Sequence, residues 1–219
     1  MNAGMESAWP LKYRVGAVRS AVTGLWGFVR EKQKLEEANR SLRREVARLE
    51  QLAYLDPLTR LGNRRRFDDA VPSELSRAAR NGEALTLLIL DVDRFKECND
   101  KYGHEAGDSL LVQISGVLKR FCRRGGDLAI RYAGDEFALV LPGVARVSAQ
   151  RIAERAREEI HALSQWHARV PSNDRASVSI GGATSQPRDS WPSAKLIEAA
   201  DGALYRAKRA GRNRVEFAA

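Results

Sequence analysis

Between two apolar, strand-like runs, residues 127–131 and 137–141, lies Arg131-Tyr132-Ala133-Gly134-Asp135-Glu136-Phe137. A Gly-Asp pair in that setting is a strong signal for a tight β-hairpin. Two carboxylates, Asp135 and Glu136, then stand at the hairpin tip, a costly place unless they meet a cation or solvent. A second acidic strand end lies upstream, Leu87-Leu88-Ile89-Leu90-Asp91-Val92-Asp93. Acidic residues from two neighbouring strand ends are what a magnesium–nucleotide site requires. Mg²⁺ prefers hard oxygen ligands and is usually held by one or two carboxylates plus substrate phosphates.

The rest of the chain supplies helices to cover such a sheet. The pattern predicts helices over residues 64–80, 105–122, 148–164 and 193–209, with Pro72 a candidate break in the first. It predicts a buried strand over 84–92 and a short helix and turn over 95–102. Val178-Ser179-Ile180 reads as a strand that ends at Gly181-Gly182, and residues 214–217 read as a closing strand. Strands occur both as a hairpin and alternating with helices. The expected fold is therefore α/β (α+β), with some antiparallel pairing and helices covering the sheet.

Upstream, Leu11, Val15, Val18, Val22, Leu25 and Val29 alternate in steps of four and three, the spacing of a coiled-coil seam. Gly16, Gly24 and Gly27 weaken that helix. A second run, Leu35, Ala38, Leu42, Leu49 and Leu52, follows in a shifted register interrupted by Glu45. One amphipathic helix lying on its own domain is an alternative; the seam favours a parallel dimerising helix or short bundle. Asp56-Pro57-Leu58-Thr59 ends it, because a residue before proline is pushed out of helical geometry. The expected organisation is a helical segment, 1–54, followed by one domain, 55–219.

Charge and cysteine usage narrow the partners. The net charge of +9 is spread along the chain, which suits a solvated surface or a polyanionic ligand such as a nucleotide. No basic stripe with interleaved aromatics is present, which argues against extended nucleic-acid binding. Cys98 and Cys122 lie far apart in no metal-like spacing and read as reduced thiols of a cytosolic protein. The best candidate membrane span, residues 9–29, contains Lys12, Arg14 and Arg19 and would cross a bilayer poorly. The expected location is the cytoplasm, either alone or as the cytoplasmic part of something longer.

Five ordered motifs carry a family resemblance. Asp56-Pro57-Leu58-Thr59-Arg60-Leu61-Gly62-Asn63-Arg64-Arg65 resembles D-x-L-T-G-L-x-N-R-R, and Asp91-Val92-Asp93-Arg94-Phe95-Lys96-Glu97-Cys98-Asn99-Asp100 resembles D-x-D-x-F-K-x-x-N-D. Gly103-His104-Glu105-Ala106-Gly107-Asp108 resembles G-H-x-x-G-D, the hairpin resembles G-G-D/E-E-F, and Ala207-Lys208 with Gly211-Arg212-Asn213 resembles the closing motif. Over residues 56–217 the chain thus resembles the GGDEF family of diguanylate cyclases. The resemblance implies a mostly antiparallel five-stranded sheet packed with helices, similar to nucleotidyl cyclase and polymerase palm domains. It also implies condensation of two GTP into cyclic di-GMP by a homodimer joined through its N-terminal helices.

The resemblance further implies residue roles. Asp91, the Val92 carbonyl and Asp135 would hold Mg²⁺, or Mn²⁺ in its place, with Asp93 a second-tier metal or structural carboxylate. Asp135, Glu136 and Lys96 would be catalytic. Backbone amides around Arg94, Phe95 and Lys96, with Lys208 and Arg212, would bind phosphates. Asn99 and Asp108 would read guanine, since a carboxylate accepts from its N1–H and N2–H₂, and His104 would line the pocket. Arg124-Gly125-Gly126-Asp127 resembles the family's R-x-x-D inhibitory motif, where product would be gripped with help from Arg155. The sequence departs from the pattern at Ala133, in place of the first signature glycine, at Arg60, in place of the opening motif's glycine, and at Cys98, a position usually apolar. A strand-like Ala133 would tolerate its methyl and leave the site active; Arg60 puts the geometry of the helix–domain junction in question; Cys98 fits as a small buried thiol.

Overall fold

In a computed structural model, the described residues are 30–46, 49, 53–164, 166–187, 189 and 191–219. The seam proposed over residues 11–29 and Leu52 lie outside them. The chain divides into two compact units, residues 1–51 and 52–219. In the first, residues 30–46 form helix α1, on which Leu35, Leu42 and Val46 are exposed.

The second unit holds α2 (Arg64–Asn81), β1 (Leu85–Val92), α3 (Phe95–Tyr102), α4 (His104–Phe121), β2 (Leu128–Ala133) and β3 (Glu136–Pro142). It continues with α5 (Arg146–His161), β4 (Val178–Ser185), α6 (Ser193–Arg209) and β5 (Val215–Phe217). The strands form one sheet in the order β2-β3-β1-β4-β5. All pairs are antiparallel except β4–β5, which is parallel.

The period of two in β1 explains how the sheet is filled from both sides. Leu85, Leu87 and Ile89 face a core with Phe67 and Val71 of α2 and Leu196, Ala200 and Leu204 of α6. Leu88, Leu90 and Val92 face the opposite core, with Leu110, Ile114 and Leu118 of α4 and Ala149, Ala153 and Ala156 of α5. A strand buried on both faces reads as a continuous apolar run, which is why residues 84–92 show no alternation.

Two sequence expectations are corrected. Helix α2 continues unbroken through Pro72; proline removes one helical hydrogen bond, but Phe67, Val71 and Ala78 on either side of it are buried against the sheet and hold the helix together. Strand β4 does not end at Gly181-Gly182 but continues to Ser185. A Cβ at 181 would fall on the Leu204 amide nitrogen and Ala200 carbonyl of α6, and one at 182 would meet the Phe217 ring at 2.5 Å. The glycines mark close approach to the strand on both faces, not a turn. Helix bounds elsewhere differ from expectation by at most three residues, α5 starting and ending earlier than 148–164.

Candidate active site

The odd-numbered stripe of β1 that faces α6 ends in Asp91, and register places Glu136 of β3 directly opposite it. Two like charges so opposed destabilise the sheet end unless a cation joins them. One protein cation answers Asp91: Lys208, carried by α6 beside buried Ala207, sets its Nζ 2.7 Å from Asp91 Oδ2. Burial still pushes the Asp91 carboxyl above its usual range, with Lys208 opposing and the charges of Asp135 and Asp93 adding to the rise. Burial, then the Asp91 charge, pushes Glu136 up in the same way. These strand ends therefore carry an unmet demand for positive charge. Among the described residues no three His, Cys, Asp or Glu side chains form a metal cage. Carboxylates and a backbone carbonyl at a strand end are instead the kind of hard-oxygen donors that Mg²⁺ takes when phosphates complete its shell, so the residues present fit that ion.

At the hairpin tip, Ala133 belongs to β2 and pairs with Glu136. Gly134 has φ 42° and takes the turn, with Asp135 following. The Ala133 methyl is exposed and outside the left-handed region, so the departure from the signature is sterically neutral. Sequence reasoning missed what fixes this tip. Arg131 donates from Nε to the Gly134 carbonyl at 2.8 Å and from Nη1 to Asp56 Oδ1 at 3.1 Å. Burial raises the Asp56 carboxyl, but hydrogen bonds from the Thr59 hydroxyl and amide and from Arg131 outweigh it and hold the group below its usual range. The junction after the helical segment and the signature turn are thus tied through one guanidinium. Arg60 itself sits at φ 58°, the left-handed geometry its motif's glycine would occupy freely.

Across the site, α3 begins at Phe95 after Arg94, which is left-handed (φ 55°) and gives no side-chain cap. The first amides of α3 have no intrahelical partners, the kind of helix start that favours an anion. Arg94 and Lys96 are exposed beside it. One turn further on, Asn99 Oδ1 is buried without a hydrogen-bond partner, an orphan acceptor that calls for a ligand. It lies against Gly107 of α4, where a Cβ would overlap Oδ1 and stand 3.1 Å from Phe95 Cζ. Phe95, Asn99 and Gly107 therefore meet, with Asp108 exposed next to them and His104 exposed at the first turn of α4.

The closing motif joins this end through Asp93. Its Oδ1 accepts from the Ser179 hydroxyl at 2.7 Å, and its Oδ2 from the Ser177 hydroxyl at 2.7 Å and the Asn213 amide at 3.0 Å. Asp93 lies past the end of β1 and turns toward β4, with both of its oxygens hydrogen-bonded within the protein. Arg212, exposed, and Asn213 are consecutive left-handed residues at φ 63° and 44°.

The Arg124–Asp127 turn lies on the other side of the domain, after α4. Asp127 Oδ2 accepts from the amides of Arg123 and Arg124 at 3.0 and 2.8 Å, whereas Oδ1 is buried and unpartnered. Arg155 of α5 stacks over Phe121 and reaches Glu159, which also binds Arg120. The two cysteines are free. Cys98 is half-buried, and burial pushes its thiol up; burial pushes the Cys122 thiol to about 12. Neither is a thiolate at neutral pH.

Comparison with known proteins decides the family. The profile described as diguanylate cyclase, GGDEF domain, matches residues 53–214. The chain belongs to the GGDEF-domain family. Diguanylate cyclase DosC of Escherichia coli K12 is 40% identical over 178 residues, covering 81% of this chain and 37% of DosC, so the chain spans under two fifths of that relative's length. The coiled coil and GGDEF domain of DgcB from Caulobacter crescentus, solved with c-di-GMP, superposes with a TM-score of 0.76 at 32% identity, covering 87% of this chain and 98% of that one. SiaD from Pseudomonas aeruginosa, a diguanylate cyclase solved with its activator SiaC, gives a TM-score of 0.72 at 29% identity, covering 94% and 80%. Among the described residues no helix is long and apolar enough to cross a membrane.

Proposed function

We propose that this GGDEF domain is an active diguanylate cyclase, joining two GTP into cyclic di-GMP with release of two pyrophosphates. The observation that carries the reading is the convergence at one sheet end of opposed Asp91 and Glu136, Lys208, and the uncapped start of α3 beside the orphan Asn99 Oδ1.

In this reading Asn99 and Asp108 hold guanine, and Asp108 selects it over adenine because adenine offers no matching pair of donors. The α3 amides cradle the terminal phosphates, and Lys96, Lys208 and Arg212 neutralise their charge. Asp91, the Val92 carbonyl and Asp135 would hold Mg²⁺, which supplies charge neutralisation for phosphoryl transfer when bound. Asp135 also takes the proton from the attacking 3′-hydroxyl oxygen. Each domain binds one GTP, so two copies must face each other, and each 3′-hydroxyl then attacks the α-phosphate across the interface with loss of pyrophosphate. The exposed Leu35, Leu42 and Leu49 of the helical segment support pairing through that segment. The compact Arg124–Asp127 turn, with its unpartnered Asp127 Oδ1, supports an inhibitory product site completed by Arg155; the DgcB relative bound to c-di-GMP lends analogy. We place the protein in the cytoplasm, where GTP is available.

The test is turnover of GTP with Mg²⁺ by protein stripped of bound product, with ATP as control. Cyclic di-GMP and pyrophosphate from GTP alone are expected. Tight binding of cyclic di-GMP without turnover would instead make the chain a receptor.

A further inference from the structure

Beyond the residues that would touch GTP, one carboxylate is placed to decide whether the triphosphate is held. Asp93 spends both oxygens inside the protein, on two serine hydroxyls of and before β4 and on the Asn213 amide. Its own amide donates to the Ser177 carbonyl at 2.9 Å, so backbone and side chain together staple the end of β1 to the start of β4. What they hold on the far side is a turn that L-residues avoid: Arg212 and Asn213 are both left-handed, at φ 63° and 44°. Each such residue is disfavoured and persists only where its surroundings over-determine it. A second clamp comes from α5, where Arg157 Nη1 donates to Asn213 Oδ1 at 3.0 Å. Asp93, Arg94, Arg212 and Asn213 line one cavity of about 320 Å³, so the strained turn and the α3 start share a cleft.

We propose that Asp93 is a positioning residue. It locks the left-handed Arg212–Asn213 turn so that the Arg212 guanidinium is presented to the triphosphate. The inference rests on the cyclase reading of the site and names a residue that reading does not need for contact.

Charge alone predicts the opposite sign. Removing an anion from a phosphate cleft strengthens phosphate binding if Asp93 acts only through its field. Removing a clamp weakens it, because the Asn213 amide loses its charged acceptor and Arg212 loses its fixed place.

The experiment uses the full chain and calorimetry with a non-hydrolysable GTP analogue, GMP and Mn²⁺. For Asp93→Asn the analogue should bind about tenfold more weakly, while GMP affinity, Mn²⁺ binding to nucleotide-free protein and the thermal unfolding baseline of a folded protein are retained. Unchanged or tighter analogue binding overturns the clamp. Loss of Mn²⁺ binding overturns it in favour of a metal ligand, and equal loss of GMP and analogue overturns it in favour of a general packing role. If Asp93→Asn does not fold, Ser177→Ala with Ser179→Ala removes the same anchor from the other side and must show the same triphosphate-selective loss. Wild-type protein that binds no GTP analogue would sink the cyclase reading itself, a result distinct from any of these.

Discussion

Gly107→Ala separates substrate recognition from folding at one atom. The added Cβ would overlap Asn99 Oδ1, with Asn99 Cγ at 3.0 Å and Phe95 Cζ at 3.1 Å. The backbone at 107 is helical and the residue lies inside α4, so alanine is otherwise favoured there by about 1 kcal/mol over glycine. The first atoms to give way are the end of a flexible amide, which must swing by on the order of 1 Å to restore ordinary contact. That motion takes Asn99 away from the base it would bind. Loss of one or two hydrogen bonds at about 0.5–1.5 kcal/mol each corresponds to a rise in KM for GTP of roughly tenfold. The global Tm should stay within a few degrees of wild type, because helix propensity and local crowding oppose each other. The assay is steady-state pyrophosphate release at varied GTP, alongside thermal unfolding. An unchanged KM with unchanged Tm would refute the reasoning, since the methyl would then have been accommodated without moving Asn99.

Other expectations are simpler. Glu136→Gln removes a charge opposite Asp91 and should stabilise metal-free protein by roughly 0.2–1 kcal/mol; because the folded Glu136 carboxyl is raised, the gain seen at neutral pH should shrink as pH falls through that raised value, as urea titrations at several pH values would show. Asp56→Asn should cost about 1.5–3 kcal/mol at pH 7 through its charged hydrogen bonds. The Asp56 carboxyl is held low in the fold, so its contribution is full above the unfolded value of about 3.9 and disappears as pH falls through the folded one; the gap to wild type should close in acid. Ala133→Gly should change turnover by less than about threefold, since the methyl meets no strain; a jump from inactive to active would refute this, the free-energy equivalent being about 0.6 kcal/mol. Arg124→Ala should weaken cyclic di-GMP binding in isothermal titration while leaving GTP turnover at low product unchanged.

Much of this architecture was legible because single residues carry local instructions. Gly134-Asp135 dictated the hairpin, and the unbroken apolar run before Asp91 dictated a strand buried on both faces. The Phe95–Tyr102 and Ser193–Arg209 helices lie where the pattern put them. Failures came where a tertiary contact decided. Gly181-Gly182 looked like a stop because glycine is a local turn signal, yet it is required by α6 and Phe217, which no window along the chain contains. Pro72 looked like a break for the same reason. Within the site, strand register could be read toward Asp91, whereas the Lys208–Asp91 pair, the Arg131 bridge to Asp56 and the Asp93 lock on Asn213 link positions 75 to 120 residues apart. The alternation Ser177-x-Ser179 beside a strand was a readable hint of a hydroxyl pair seeking an acceptor; nothing in sequence named Asp93 as that acceptor.

The two glycines of β4 also set a tolerance. With no side chain between the Gly181 backbone and the amide of Leu204, the helix that bears Lys208 rests on bare strand. Side chains between packed elements act as compressible shims, able to change rotamer and let a helix creep. Here the shim is missing, so the standoff between α6 and the sheet is a fixed gauge, and the reach of Lys208 to the acidic strand end is machined by main chain alone. Cavity-filling or core-softening changes elsewhere in the domain should therefore leave that distance untouched, whereas a single methyl at 181 would lift the whole helix off its seat.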